Sequence, residues 1–485
     1  MKFNIKEKFN DFINNNKDYP ILTGFVVGFY PLIFFYSNNF ETINSFQHLL
    51  FFCFLFFITP IVFIFVIYRF FNNSITYNHL KRHFLFVTVI EFTAVLFSMV
   101  YFLNLWIKVL LFVLFISILL SIKFNKQYKK VIVFIFLLSI IPLFKLLSIF
   151  SYRVFNDTLS WMNQKDCIKN VRFKKSPNIY FIEPDGYAGK EEMEKYPYEY
   201  KNNMYDWLES KNFTLYKNTN SNYPATLASN ASMFGMKHHF LGKISNSPFE
   251  MDNARSIIVG NNPVISILKN NNYKNYFIVT DEYFQQSFKK VKYDFFNIKN
   301  AEIPYFTNSN NVQKDVYADL KIILDSKQNL NQPKFYFIEK MLPHHIHFDG
   351  TGKANERKVY LEKIEKSNVF LKKITTLISE KDPNGIIIIA SDHGGWVGIE
   401  NENEMFTIKQ QRLIKSIFGN LLAIKWNNKS HFEYDEKLKS NVNIFRILFS
   451  YLSEDKLFLK NLEGDESYNI GFDSDFSKKA VKIIN

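Results

Sequence analysis

Asp392 and His393 close the run IIIIASDHGG, residues 386–395, and set a carboxylate beside an imidazole where both can reach one metal ion. Four isoleucines followed by small and polar residues describe a strand buried on both faces, with its C-terminal end opening into a loop. Ligands bind at such ends in open α/β sheets. The pattern recurs roughly two hundred residues earlier, where Asn178 to Ile182 runs into Glu183-Pro184-Asp185-Gly186 and delivers another carboxylate at a strand terminus. Asp185 could therefore converge with Asp392 and His393, although an Asp before Gly is equally a turn residue. Between them lies SNYPATLASNASMFGM, residues 221–236, in which Pro224 marks a turn and the small residues from Thr226 onward start a helix. A hydroxyl at that edge is placed to be a nucleophile or an N-cap. Ser229 and Ser232, about a helical turn further on, read as packing groups.

The elements that must position these residues follow from patterning. Segments 178–184, 213–217, 275–280, 334–339, 386–391 and 420–425 read as strands, and 190–210, 263–271, 311–326 and 355–379 as helices. This alternation predicts an α/β domain over 177–485, with a mainly parallel central sheet covered by helices. Residues 151–176 read as a polar stem. Arg446 reads as a structural anchor for the last helix.

Residues 1–150 differ in kind. Apolar runs near 20–36, 49–68, 84–103, 105–122 and 131–150 are each long enough to cross a bilayer, giving about five helices, or four with one long bent helix if the third and fourth, separated only around Asn104, are continuous. Basic residues gather before the first run (Lys2, Lys6, Lys8, Lys17), between the second and third (Arg69, Lys81, Arg82) and between the fourth and fifth (Lys123, Lys126, Lys129, Lys130). The positive-inside rule then puts the N-terminus in the cytoplasm and everything after residue 150 outside. No small-residue cleavage site follows the first run, so it reads as a retained anchor. Lys145, in the fifth run, is expected to reach outer headgroups, and Glu91, in the third, has no assigned partner. The net charge of +14 is spread over loops without base-stacking aromatics, which argues against nucleic acid as a partner. Cys53 lies in an apolar run and Cys167 in the stem, so no disulfide framework holds the outer domain. Such a domain fits the bacterial cell (inner) membrane.

From residue 177 the chain resembles the alkaline phosphatase and sulfatase superfamily. It is most similar to the membrane-anchored branch that includes lipoteichoic acid synthases and phosphoethanolamine transferases. The resemblance rests on PNIYFIEPDGY at 177–187, NYPATLASNASMF at 222–234, MLPHHIHFDGTG at 341–352, ASDHGG at 390–395, FGNLLAIKW at 418–426 and NVNIFRILF at 441–449. It implies that Asp185, Asp392 and His393 are metal ligands and that Thr226 is the nucleophile and a further ligand. The histidine that helps hold the substrate phosphate falls on His344, although PHHIHFD is one residue shorter than the usual spacing and brings in His345 and His347 as alternatives.

The chemistry agrees. A threonine hydroxyl is a poor nucleophile unless a metal lowers its pKa or a base takes its proton, and one divalent ion, Mn²⁺ or Zn²⁺, suits two carboxylates, an imidazole and a hydroxyl oxygen. Attack on a phosphodiester would leave a phospho-threonine, resolved by an acceptor alcohol or by water, with His344 donating to the phosphate or to the leaving oxygen. The expected activity is transfer of a phosphoglycerol or phosphoethanolamine headgroup from a phospholipid donor to an envelope glycan or lipid. Phosphodiester hydrolysis and an inactive envelope scaffold are the alternatives. Formylglycine-type sulfatase chemistry needs Cys or Ser in a Cys/Ser-x-Pro-x-Arg context, which this chain lacks.

Overall fold

The computed structural model describes residues 5–43, 45–102, 105–239, 251–286, 290–305, 311–326, 332–472 and 478–484. The chain divides into two compact units between Asp157 and Thr158.

Among the described residues, four helical stretches are long and apolar enough to cross a membrane, Pro20–Phe40, Phe46–Asn73, Asn78–Phe102 and Ile107–Met162, the last running a few residues past the end of the first unit. The fourth, at 56 residues, would be about 84 Å long if straight, well over the ~30 Å of a hydrocarbon core. A 3₁₀ turn at Asn125–Gln127 divides it among the lysines of the 123–130 cluster. Residues 103–104, at the junction of the third and fourth expected runs, lie outside the described residues. Val26, Val27, Ile64, Leu85, Val89 and Ile132 form the packed interior. At one end of the bundle Asp18 accepts from Arg82 Nε at 2.8 Å and from the Tyr68 hydroxyl at 3.1 Å, and Lys129 Nζ donates to the Asn15 carbonyl at 2.8 Å. The Lys145 ammonium donates to Asn38 Oδ1 at 2.9 Å. Glu91 keeps one buried oxygen without a hydrogen-bond partner.

The second unit is built on a seven-stranded sheet. Its strands are β1 (Ile179–Pro184), β2 (Thr214–Leu215), β3 (Lys274–Ile278), β4 (Phe295–Phe296), β5 (Lys334–Lys340), β6 (Ile386–Ala390) and β7 (Leu422–Lys425). Their spatial order is β2-β7-β6-β1-β5-β3-β4. β1 lies parallel to β5 and β6, and β3 parallel to β5 and β4, while β7 runs antiparallel to β6 and β2. Every residue of β1 and β6 is buried, which is why these strands read as unbroken apolar runs. Tyr180, Tyr336 and Tyr276, neighbours across the register, stack with ring centroids 4.7 Å apart at each step. A separate antiparallel hairpin joins β8 (Ser467–Phe472) and β9 (Lys478–Ile484).

Three local differences from the sequence expectation have physical reasons. The helix expected over 190–210 is two short helices, Lys190–Met193 and Met204–Ser210, because Pro197 cannot continue the hydrogen-bond ladder. The last helix of the first unit continues to Phe155, past the expected boundary at 150. The stem is not merely a spacer, since Asp166 Oδ2 and Gln164 Oε1 accept from the buried Arg446 guanidinium at 2.6 and 2.5 Å. These contacts lock the stem onto helix Ile444–Ser453.

Candidate metal centre and active site

Strand register sets the height of the site. Ile182 pairs with Ile389 across β1 and β6, so three residues further along each strand Asp185 and Asp392 emerge level with each other. On the other side Pro184 pairs with Lys340 of β5, and the Asp185 N–H continues the ladder to the Lys340 carbonyl at 3.0 Å. The chain then turns at Gly186, whose φ of +66° is open to glycine. A Cβ there would sit 2.9 Å from the His344 carbonyl carbon. The turn aims the Gly186 N–H at Asp392 Oδ1, 3.0 Å away.

Asp185, Asp392 and His393 each present a ligand atom, all within 4.8 Å of one another, and all three residues are buried. His393 Nδ1 faces the Gly394 carbonyl at 2.8 Å, and donation there leaves the Nε2 lone pair turned to the carboxylates, 3.6 Å from Asp185 Oδ1 and 3.3 Å from Asp392 Oδ2. Such a bond to the outer ring nitrogen orients metal-ligating imidazoles. The same two carboxylate oxygens are buried without a hydrogen-bond partner. Burial and the neighbouring Asp392 push the Asp185 carboxyl well above the usual range. Two buried carboxylates sharing one space with no compensating donor are costly, and a divalent cation among them supplies the missing charge and the missing partners. The donor set, two hard oxygens and an imidazole nitrogen, fits such an ion.

Thr226 arrives from the other side. It opens helix Thr226–Gly235, but the N-cap position belongs to Ala225, so the hydroxyl is not consumed by capping. Oγ1 lies 3.3 Å from His393 Nε2, at the ligand cluster. The helix is held against the metal loop by Ser229, whose hydroxyl donates to the Asp392 carbonyl at 2.7 Å, while the Ser232 hydroxyl donates to the Ser229 carbonyl at 2.9 Å. Both serines pack, as their spacing suggests.

The three histidines after β5 separate by position. His344 has a left-handed backbone at φ +66°, is pinned through its N–H to the Asp185 carbonyl at 2.8 Å, and points Nε2 at Asp185 Oδ2 from 3.7 Å. His345 stacks on Trp396 with centroids 3.7 Å apart. His347 turns outward, where Lys363 Nζ donates to its Nε2 at 2.6 Å. Burial lowers the pKa of all three. His344 and His345 line a cavity of about 230 Å³ together with Asp185, Thr226 and His393.

Sequence reasoning did not single out the acids beneath and beside this cluster. Glu183 is fully buried, accepts from Asn230 Nδ2 at 2.7 Å and is held far above its ordinary pKa by burial and Asp392. Glu339, paired with it in register, accepts from the Thr280 N–H at 3.1 Å. Asp281 is raised to about 6 by burial. The available signal was an acid inside an otherwise apolar strand, in FIEP and again in FIEK.

The family model for sulfatases matches residues 186–452, more than half of the chain and including Thr226, His344, Asp392 and His393. The chain belongs to the sulfatase family. Solved structures similar to this chain include the C-terminal periplasmic domain of EptC from Escherichia coli in complex with Zn, at 12% identity and a TM-score of 0.41 over 58% of this chain and 83% of that one. The integral membrane lipooligosaccharide phosphoethanolamine transferase A of Neisseria meningitidis matches at 12% identity and a TM-score of 0.42 over 89% of this chain and 95% of that one. The periplasmic domain of the phosphoethanolamine transferase EptC from Campylobacter jejuni matches at 13% identity and a TM-score of 0.40, over 57% and 90%. No curated protein matches by sequence.

Proposed function

We propose that this sulfatase-family protein is a membrane-anchored, metal-dependent phosphotransferase that moves a phosphoglycerol or phosphoethanolamine headgroup from a phospholipid to an envelope glycan or lipid. The observation that carries the reading is a threonine hydroxyl, free of capping duty, 3.3 Å from an imidazole of the metal-ligand cluster. Threonine cannot become formylglycine, whereas it forms a stable phosphoester. The named phosphoethanolamine transferases of similar fold accord with this choice.

Asp185, Asp392, His393 and the Thr226 oxygen would hold one ion, Mn²⁺ or Zn²⁺, which when bound lowers the hydroxyl pKa and offsets charge on the phosphoryl oxygens. Thr226 Oγ1 attacks phosphorus, the Oγ1–P bond forms, and the bond from phosphorus to the lipid alcohol breaks. The lipid leaves as diacylglycerol once its oxygen gains a proton. An acceptor hydroxyl then attacks the same phosphorus, and Thr226 recovers its hydroxyl. His344, anchored through its N–H to the Asp185 carbonyl, would hold the phosphate or give the leaving oxygen its proton. Five spans with a cytoplasmic N-terminus would put this domain on the outer face of the bacterial inner membrane, beside donor and acceptor.

The test is mass spectrometry of the Thr226 peptide after incubating full-length protein and Mn²⁺ or Zn²⁺ with liposomes of phosphatidylglycerol and phosphatidylethanolamine. A metal-dependent adduct names the headgroup by its mass, and Thr226→Ala must abolish it. Turnover of a soluble phosphodiester with no lipid-derived adduct would replace transfer by hydrolysis.

A further inference from the structure

Residues 463–469 lie beyond the 186–452 stretch that the family model matches, yet they grip both flanks of the Thr226 helix. On the incoming side, Asn222 is fully buried and makes three bonds. Its Oδ1 accepts from the Val442 N–H at 2.8 Å, its Nδ2 donates to the Glu466 carbonyl at 2.9 Å, and its own carbonyl accepts from the Tyr468 N–H at 2.9 Å. Ser467 Oγ donates to the Ser221 carbonyl at 2.6 Å. On the outgoing side, Lys237 pairs with Glu463 at 3.4 Å and His238 Nε2 meets the Gly464 carbonyl at 2.8 Å. Asn469 Nδ2 also reaches the Met405 carbonyl at 2.5 Å, in the segment that brings Glu402 to the cavity rim.

Three residues separate Asn222 from Thr226, and one of them, Pro224, is itself held through its carbonyl by Trp396 Nε1 at 3.2 Å. The backbone that carries the nucleophile is therefore suspended between the hairpin and the metal loop. None of residues 463–469 belongs to the ligand cluster.

We propose that residues 463–469 are a positioning clamp for Thr226, acting through Asn222. They hold the hydroxyl at the distance from the metal ligands that attack requires and tie the Glu402 rim to the same support. This rests on the phosphotransferase reading for its effect on rate, but not for its effect on structure. Misplacing a reacting group by about 1 Å can cost on the order of 100-fold in rate.

Two variants separate clamp from general support: Asn222→Asp, which keeps the acceptor for Val442 and loses the donor to Glu466, and Ser467→Ala combined with Asn469→Ala. In full-length protein the expected result is a fall of at least about tenfold in the rate of Thr226 adduct formation, with KM within about twofold of wild type and the Mn²⁺ dissociation constant rising by much less than the rate falls, because Asp185, Asp392 and His393 keep their places. Hydrogen exchange of amides 221–230 should accelerate about tenfold while those of 386–390 do not change. Unchanged rate and exchange in both variants overturn the clamp, as does loss of Mn²⁺ binding in parallel with rate, which marks a general disturbance. If wild-type protein modifies Thr226 with no lipid and cleaves no soluble phosphodiester, the phosphotransferase reading fails by itself. The exchange pattern at 221–230 then decides the clamp alone.

Discussion

Asp392→Asn should stabilise the metal-free protein while crippling its metal site. Asp392 Oδ1 accepts the Gly186 N–H at 3.0 Å, and an asparagine oxygen can keep that bond. Oδ2, which has no hydrogen-bond partner, becomes an NH₂ group able to donate toward Asp185. What disappears is one of two like charges whose ligand atoms lie within 4.8 Å of each other. At that separation and an effective dielectric of about 20, the repulsion is about 3 kcal/mol, present in full only above the pKa of about 8 to which burial and Asp392 push Asp185, so the comparison is made near pH 9. For a unit of this size such a gain raises Tm by about 4 °C. Thermal unfolding of full-length protein in excess chelator reads it directly. With Mn²⁺ the order should reverse, because binding stabilises the wild type by mass action while the variant's affinity, by titration calorimetry, falls by more than the ~100-fold typical of losing a supporting residue. A variant less stable than wild type in chelator would refute the reasoning, since it would mean that the two carboxylates do not oppose one another in the empty cluster.

Gly186→Ala places a methyl group 2.9 Å from the His344 backbone at a positive φ, at a conformational cost of about 1–2 kcal/mol. Turnover should drop at least tenfold as the His344 loop shifts, measured beside an unchanged circular dichroism spectrum. Arg446→Met removes the partner of Asp166 from a buried pair and should cost about 3–5 kcal/mol. Adding Asp166→Asn should recover part of that loss in a thermal melt. Of the histidines, His344→Ala should reduce turnover on a soluble phosphodiester by about 100-fold, and His347→Ala by less than about tenfold, because His347 faces Lys363 and not the ligand cluster. Equal losses would place His347 on the substrate.

The sheet was legible in the sequence to a degree that its edges were not. All six strands expected from the sequence are present; β1, β5 and β6 stood out because central strands buried on both faces are almost wholly apolar, whereas the edge strand β2 keeps only two residues of the expected 213–217. β4, two residues long, and the β8–β9 hairpin carry too few residues or too mixed a pattern to stand out. Asp185, Thr226, Asp392 and His393 meet as their placement at element termini suggested, and the sequence spacing between them carries no distance information of its own. The sequence favoured His344 over His345 and His347, but not where each ring goes: the structure brings His344 and His345 to the cavity and sets His347 against Lys363, which depends on a left-handed backbone at His344 that no spacing reveals. Glu183 and Glu339 were overlooked because strand patterning weights apolar neighbours and discounts the single acid among them.

The level emergence of Asp185 and Asp392 depends on two adjacent strands and on nothing between them. Loops within residues 187–385 can therefore lengthen, shorten or be exchanged without moving either carboxylate, provided β1, β5 and β6 keep their pairing and Thr226 and His344 keep their anchors. The loops at the strand ends are thus interchangeable parts on a fixed chassis. A new lining for the cavity could be grafted in by loop replacement, whereas inserting a single residue into either strand would disable every such chimera at once.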